Sequence, residues 1–251
     1  MRHYASLLKL RCFAKAEVAT LTGSATSAEA LLTEYHRRGY IDQVRQGLWV
    51  AVGLDDSQPV ASRYEIATAI NPGAYVSHHS AFAYHGYANQ VSYEVGVTSA
   101  TRFTPFEYDD VRYRWLAPRI TAGVDAPSPR VRVTDMERTV LDSINDANKV
   151  GGLEELLVSL DAVPYLDVRK LTSYLGSYCT QVLYQKTGYL LGLFNTTLRL
   201  PESFFADCHS HTGKSVRYLD QGLPSEERTY DRRWQLVVPR HPLSPLNQGA
   251  T

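Results

Sequence analysis

The chain has 251 residues, 44% apolar and 21% charged, enough for one large or two small domains and too apolar for wholesale disorder. No apolar run approaches the ~20 residues of a membrane-spanning helix, and residues 1–18 lack the apolar stretch and cleavage site of a secretory signal, so a cytoplasmic protein is expected. Formal net charge is zero, yet residues 1–53 carry seven Lys and Arg against four Asp and Glu, a basic head on a mildly acidic body.

The head reads as short helices followed by a β-ribbon. Leu7, Leu8 and Leu10 beside Tyr4 give His3 to Leu10 an apolar face, and Lys15 to Leu21 forms a second short helix that stops at Thr22-Gly23. Thr26-Ser27-Ala28-Glu29 has the spacing of a capping box, which predicts a third helix opening at Thr26. Ala28, Leu31, Leu32 and Tyr35 share one face of that helix, and Gly39 closes it after Arg37-Arg38. Tyr40 to Arg45, a Gln46-Gly47 turn and Leu48 to Val52 then read as a hairpin.

Helix, short helix, capped helix and hairpin, in that order, predict a winged helix-turn-helix over residues 1–53. In that arrangement the third helix enters the major groove and the hairpin wing follows the backbone. Thr26, Ser27 and Thr33 lie off the apolar face as hydroxyl donors for phosphate or base edges, while Arg37 and Arg38 are candidates for phosphate contacts. Arg45 and Gln46 at the wing tip complete the candidate DNA-binding set, because a hairpin turn gives a guanidinium little local structural role. Glu29 and Glu34 on the same helix would repel phosphate unless they face away from it. Arg112, Arg114, Arg119, Arg130 and Arg132 are candidates for a second basic surface.

Residues 54–60, polar and containing Pro59, are expected to form a linker to a mixed body over 61–251. Helices are predicted over 60–70, 77–85, 134–144, 153–160, 167–175 and 180–194. Short strands are predicted over 74–76, 93–98, 111–116, 131–133 and 234–238, ahead of a loose Pro-rich tail. The expected class is therefore α+β, with a small sheet and several helices behind the head.

Catalytic and metal signatures are lacking in the sequence. Cys12, Cys179 and Cys208 are too scattered for a disulfide framework, and Cys12 fits an apolar helix position. His78 and His85 fall about 10.5 Å apart along one helix, too far to share an ion. Cys208, His209 and His211 have no visible fourth ligand and read as a polar loop. Arg138 and Asp142, four apart, read as a structural ion pair with Glu137 in the first turn of their helix. No Gly-x-Ser-x-Gly elbow and no phosphate-binding glycine loop occurs, so neither an enzyme nor a cofactor is expected.

Several motifs together carry a resemblance. The segment LLTEYHRRGYIDQVRQGLWV (31–50) resembles the recognition helix and wing of AbiEi-type antitoxins, the regulator half of type IV toxin–antitoxin pairs. VSHHSAFAYHG (76–86), MERTVLD (136–142), KTGYLLGLF (186–194) and WQLVV (234–238) are similar to later segments of that family, in the same order. The resemblance covers about residues 40 to 240 and implies a repressor of its own operon that binds double-stranded operator DNA. It also implies antagonism of a nucleotidyltransferase toxin, with or without a stable complex. Two alternatives stand beside it. One is a winged-helix protein with a nuclease-like body, for which Asp207 and Lys214 are the nearest candidates at an unsuitable spacing; the other is a protein-interaction adaptor.

Overall fold

A computed structural model describes residues 2–247 as a mixed α+β protein. Contacts divide the chain into two compact units. The first comprises the chain up to Val76 with 93–117 and 126–132, and the second comprises 77–92, 118–125 and the chain from Val133 onward.

The first unit opens with α1 (Tyr4–Leu10), β1 (Cys12–Ala14), α2 (Lys15–Thr22) and α3 (Ala25–Arg37), followed by β2 (Ile41–Arg45) and β3 (Leu48–Ala51). The third helix begins one residue before the expected Thr26. Its cap is Ser24, whose hydroxyl accepts from the Ser27 amide, so the capping box expected at Thr26 is corrected. Strand β1 was not legible as a strand: Cys12 pairs with Val50 across β3, not on a helix face as expected, and the sheet order is β1-β3-β2. Tyr4, Leu7, Phe13, Val18, Ala28, Leu32, Tyr35, Ile41 and Ala51 close a core between these helices and this sheet. Each of the three helices alone is too short to persist in water, so this shared burial holds them.

Residues 54–60 turn back on the head. The Gly53 amide donates to the Gln58 carbonyl at 2.8 Å, and the Val60 amide to Ala51 at 2.8 Å. Beyond them α4 (Arg63–Ala69) starts from a capping box of Ser62 and Glu65. Glu65 also receives Arg11 from the head, at 2.7 Å. Next in the chain come β4 (Tyr75–Val76), α5 (His79–His85), β5 (Glu94–Thr98), β6 (Phe106–Tyr108), β7 (Val111–Leu116), β8 (Val124–Ser128) and β9 (Val131–Thr134). The strands form one sheet in the order β6-β7-β5-β4-β9-β8, with β5 and β7 parallel. Strands β8 and β9 each begin in one unit and end in the other.

The second unit is mainly helical. It contains α5, α6 (Met136–Asn145), α7 (Leu153–Ala162), α8 (Val168–Tyr178), α9 (Gln181–Leu193), α10 (Asn195–Leu198) and α11 (Glu202–Ser210). A small sheet follows, built of β10 (Arg217–Tyr218), β11 (Arg228–Asp231) and β12 (Leu236–Pro239) in the order β10-β12-β11, and then α12 (Ser244–Asn247). The tail expected to be loose runs beyond this helix to 248–251, which lie outside the described residues. Asp207 to His211, expected as a polar loop, is instead the end of α11: Cys208 is fully buried and His211 stacks on Tyr184 at 4.2 Å.

Helix α6 anchors this unit. Asp135 caps it, accepting from the Arg138 amide at 2.9 Å, from Lys170 at 2.9 Å and from the Tyr174 hydroxyl at 2.7 Å. Arg138, 1% exposed, pairs with Asp142 at 2.9 Å and donates to the carbonyls of Ile120 and Ala122 at 3.0 and 2.6 Å. Tyr178 donates to the other oxygen of Asp142. A guanidinium with this many partners is tolerated at nearly complete burial because its donors replace the water they lose. Gly123 makes room for it. A Cβ there would lie 2.8 Å from Arg138 and 2.9 Å from the Tyr174 ring, and the backbone is left-handed at φ 74°.

At the start of α5, His78 holds an unusual backbone (φ 56°, ψ −134°) while its Nδ1 meets the Ser77 hydroxyl at 2.8 Å. His78 stands at the N-cap position without a side-chain cap bond and His85 ends the helix, where its Nε2 lies 2.8 Å from the Thr134 carbonyl. Burial pushes the His78 imidazole below its ordinary value. Next to it, His79 lies 3.3 Å from Glu155, which also accepts from the amides of Asn89 and Gln90. The thiols differ in the same way: Cys208 is buried, Cys12 half-buried and Cys179 exposed. Burial pushes both Cys12 and Cys208 up to about 12. None of the described helices is long and apolar enough to cross a membrane.

Candidate nucleic-acid interface

The outward face of α3 is built by elimination. Ala28, Leu32 and Tyr35 are buried, which turns Thr26, Ser27, Thr33, Arg37 and Arg38 to solvent on the remaining surface. The hydroxyl of Ser27 is 2.9 Å from that of its cap partner Ser24, so this end of the helix is already ordered. The two carboxylates of the helix are not free. Lys15 on α2 holds Glu29 at 2.9 Å, and Glu34 receives Arg37 at 2.9 Å and Arg38 as well. A hydrogen bond from Arg37 lowers the Glu34 carboxyl below its ordinary range, and one from Lys15 does the same for Glu29. Glu34 therefore gathers two arginines into one cluster at the end of α3, and its charge cancels part of theirs.

Strands β2 and β3 meet in the expected two-residue turn, with Arg45 opposite Leu48 and Gly47 left-handed at φ 83°. Gln46 is exposed at the tip. Arg45 is only half-exposed, and its guanidinium lies 5.6 Å from the Phe103 ring and 5.3 Å from the Phe106 ring. A structural partner thus exists where the turn alone suggested none. The aromatic pair holds the side chain without neutralising it: Nη1 is buried and has no hydrogen-bond partner among the described residues.

A cleft of about 420 Å³ opens beside this turn, lined by Arg45, Gln46 and Gly47 together with Ala14, the end of α4 and Arg132. Arg132 sits on β9 and donates twice to the Ala74 carbonyl, at 3.2 and 3.0 Å. The structure thus places Arg45, Gln46 and Arg132 around one cleft, while Thr26, Ser27, Thr33, Arg37 and Arg38 share the α3 face. Of the other candidate arginines, Arg112 stands exposed on β7. Arg114 pairs with Glu94 at 2.8 Å, Arg130 donates to the Lys9 carbonyl, and Arg119 belongs to the second unit. Sequence reasoning missed Phe103 and Phe106, which stand about sixty residues away and carry no local signal of where they pack. Among the described residues no group of three or more His, Cys, Asp and Glu is placed to hold a metal ion.

The fold has a known counterpart. The crystal structure of the RV2827C protein from Mycobacterium tuberculosis superimposes with a TM-score of 0.66 over 98% of this chain and 94% of that one, at 18% identity. No protein-family model and no curated protein matches the sequence. At that identity the likeness concerns the arrangement of elements from end to end.

Proposed function

We propose that the chain is a DNA-binding transcriptional regulator of the AbiEi antitoxin type, whose head is a winged helix-turn-helix that reads operator DNA. The observation that carries this reading is the α3 face: three hydroxyls and two arginines exposed on the one helix that precedes a β-hairpin, in the order α1-β1-α2-α3-β2-β3. On duplex DNA, Thr26 and Ser27 at the start of α3 would meet phosphate or base edges. Arg37 and Arg38 would meet phosphate, and Gln46 would lie along the backbone with the wing. Repression of the chain's own operon and antagonism of a nucleotidyltransferase toxin rest on the motif resemblance. The nuclease alternative gains no support, since Asp207 lies on helix α11 rather than on a strand beside a lysine.

Mobility shifts on the DNA upstream of the gene, at 50 and 200 mM salt, test the reading. A sequence-preferring complex is expected, and each arginine removed in Arg37→Ala or Arg38→Ala should reduce the slope of log affinity against log salt by about 0.9. Equal binding to random DNA, or none, removes the regulator role and leaves the adaptor reading.

A further inference from the structure

We infer that the cleft beside the β2–β3 turn is a binding site for a phosphoryl group, held between Arg45 and Arg132. This deepens the DNA-binding reading by assigning a chemical class of ligand to one place in the head, and it stands on three observations. The first is charge. Arg45 and Arg132 both line the cleft, neither forms an ion pair with a described residue, and the lining contains no carboxylate. The end of α4 contributes at most about half a negative charge through its carbonyls, which two guanidinium charges outweigh.

The second observation is an unmet donor. Arg45 lines the cleft with its guanidinium held over the Phe103 and Phe106 rings, and among the described residues its Nη1 has no hydrogen-bond partner. Arg132 is held by two bonds to the Ala74 carbonyl, so its head is fixed and its positive charge is retained. The third observation is shape. A volume of about 420 Å³ takes a tetrahedral oxyanion together with part of whatever carries it. Gln46, exposed at the rim, supplies a further amide donor. Two fixed guanidinium groups suit a multiply charged tetrahedral anion better than a single carboxylate, because each can take separate oxygens. The group has two sources: the backbone of bound DNA, or a free phosphorylated small molecule.

Isothermal titration of the full-length protein with inorganic phosphate at low ionic strength tests the site without any DNA. Saturable binding is expected in the wild type, and at least about tenfold weaker binding in Arg45→Gln and in Arg132→Gln. No saturable heat in the wild type, or equal affinity in Arg45→Gln, overturns the proposal. Since Arg132 is tied to the backbone, Arg45→Gln alone decides if the Arg132 variant does not fold. Repeating the titration with saturating duplex assigns the source: phosphate binding lost under DNA identifies the backbone, and binding retained identifies a free phosphorylated ligand. Because the first titration contains no DNA, failure of the regulator reading is seen in the mobility shifts and failure of this site in the phosphate heat.

Discussion

Two arginines in the two units of this protein show opposite uses of the same side chain. Arg138 on α6 is almost wholly buried and bonded to Asp142 and to two carbonyls, with the Tyr178 ring 5.5 Å away. Arg45 at the hairpin turn is half-exposed, braced by two phenylalanine rings, and keeps a buried nitrogen unbonded. The first arrangement is closed: its acceptors all belong to the fold, and removing the cation strands a buried carboxylate. The second is open, with geometry fixed by apolar contacts and donor capacity left over. Burial with complete bonding marks a structural ion pair, whereas bracing with incomplete bonding leaves donor capacity, which the proposed phosphoryl site would use.

The largest effect that separates the two should come from substituting each arginine by methionine. Arg138→Met leaves Asp142 buried and unpaired and should destabilise the chain by about 3–5 kcal/mol in chemical denaturation, whereas Arg45→Met should cost no more than about 1 kcal/mol, the scale of a cation–π contact. Equal losses would collapse the distinction. Next in size, Tyr178→Phe removes a hydrogen bond to the Asp142 carboxylate and should cost about 1.5–3 kcal/mol at neutral pH.

A smaller effect follows from His78. Its folded imidazole titrates below the ordinary 6.5, so as pH falls past that value the unfolded chain takes up a proton that the folded chain refuses. Its contribution is therefore fully present above about pH 6.5 and is lost as the solution is acidified. His78→Gly, which also suits the positive φ, should flatten the dependence of stability on pH between 7 and 5. A slope identical to that of the wild type would show that another group governs acid sensitivity.

The smallest change sharpens the open side of the comparison. Glu34→Gln should leave the melting temperature unchanged within error, because the pairs it breaks are exposed. On the proposed regulator reading it should strengthen DNA binding a few-fold, since Arg37 and Arg38 would then present their full charge. Weaker binding would mean that Glu34 positions the arginines rather than competing for them.

The legible parts of this fold are those written in consecutive residues. Helix α6 could be read because Glu137 and the Arg138–Asp142 pair lie within two turns, and the hairpin because Gln46-Gly47 sits between two β-prone runs. Strands β1, β6 and β10 could not, since two or three residues show no period and exist only through partners far along the chain. Helix α11 was hidden by its polar run at Asp207–His211, in which only Cys208 is buried. At the candidate site, the residue types of α3 and the turn were visible, and the exposure of the hydroxyls followed from the buried face of the helix. The cleft was not, because Arg132 reaches it through the pairing of β9 in the sheet and Arg45 through rings about sixty residues distant.

The unequal burial of the three thiols makes the native chain selectively labelable. Burial holds the half-buried Cys12 and the buried Cys208 thiols protonated near neutral pH, whereas Cys179 stands exposed at the end of α8. A maleimide dye added to the folded protein should therefore couple at one position in the second unit, remote in sequence from every residue of the α3 face. That supplies a fluorescent reporter for DNA and phosphate titrations in a protein with no engineered cysteine.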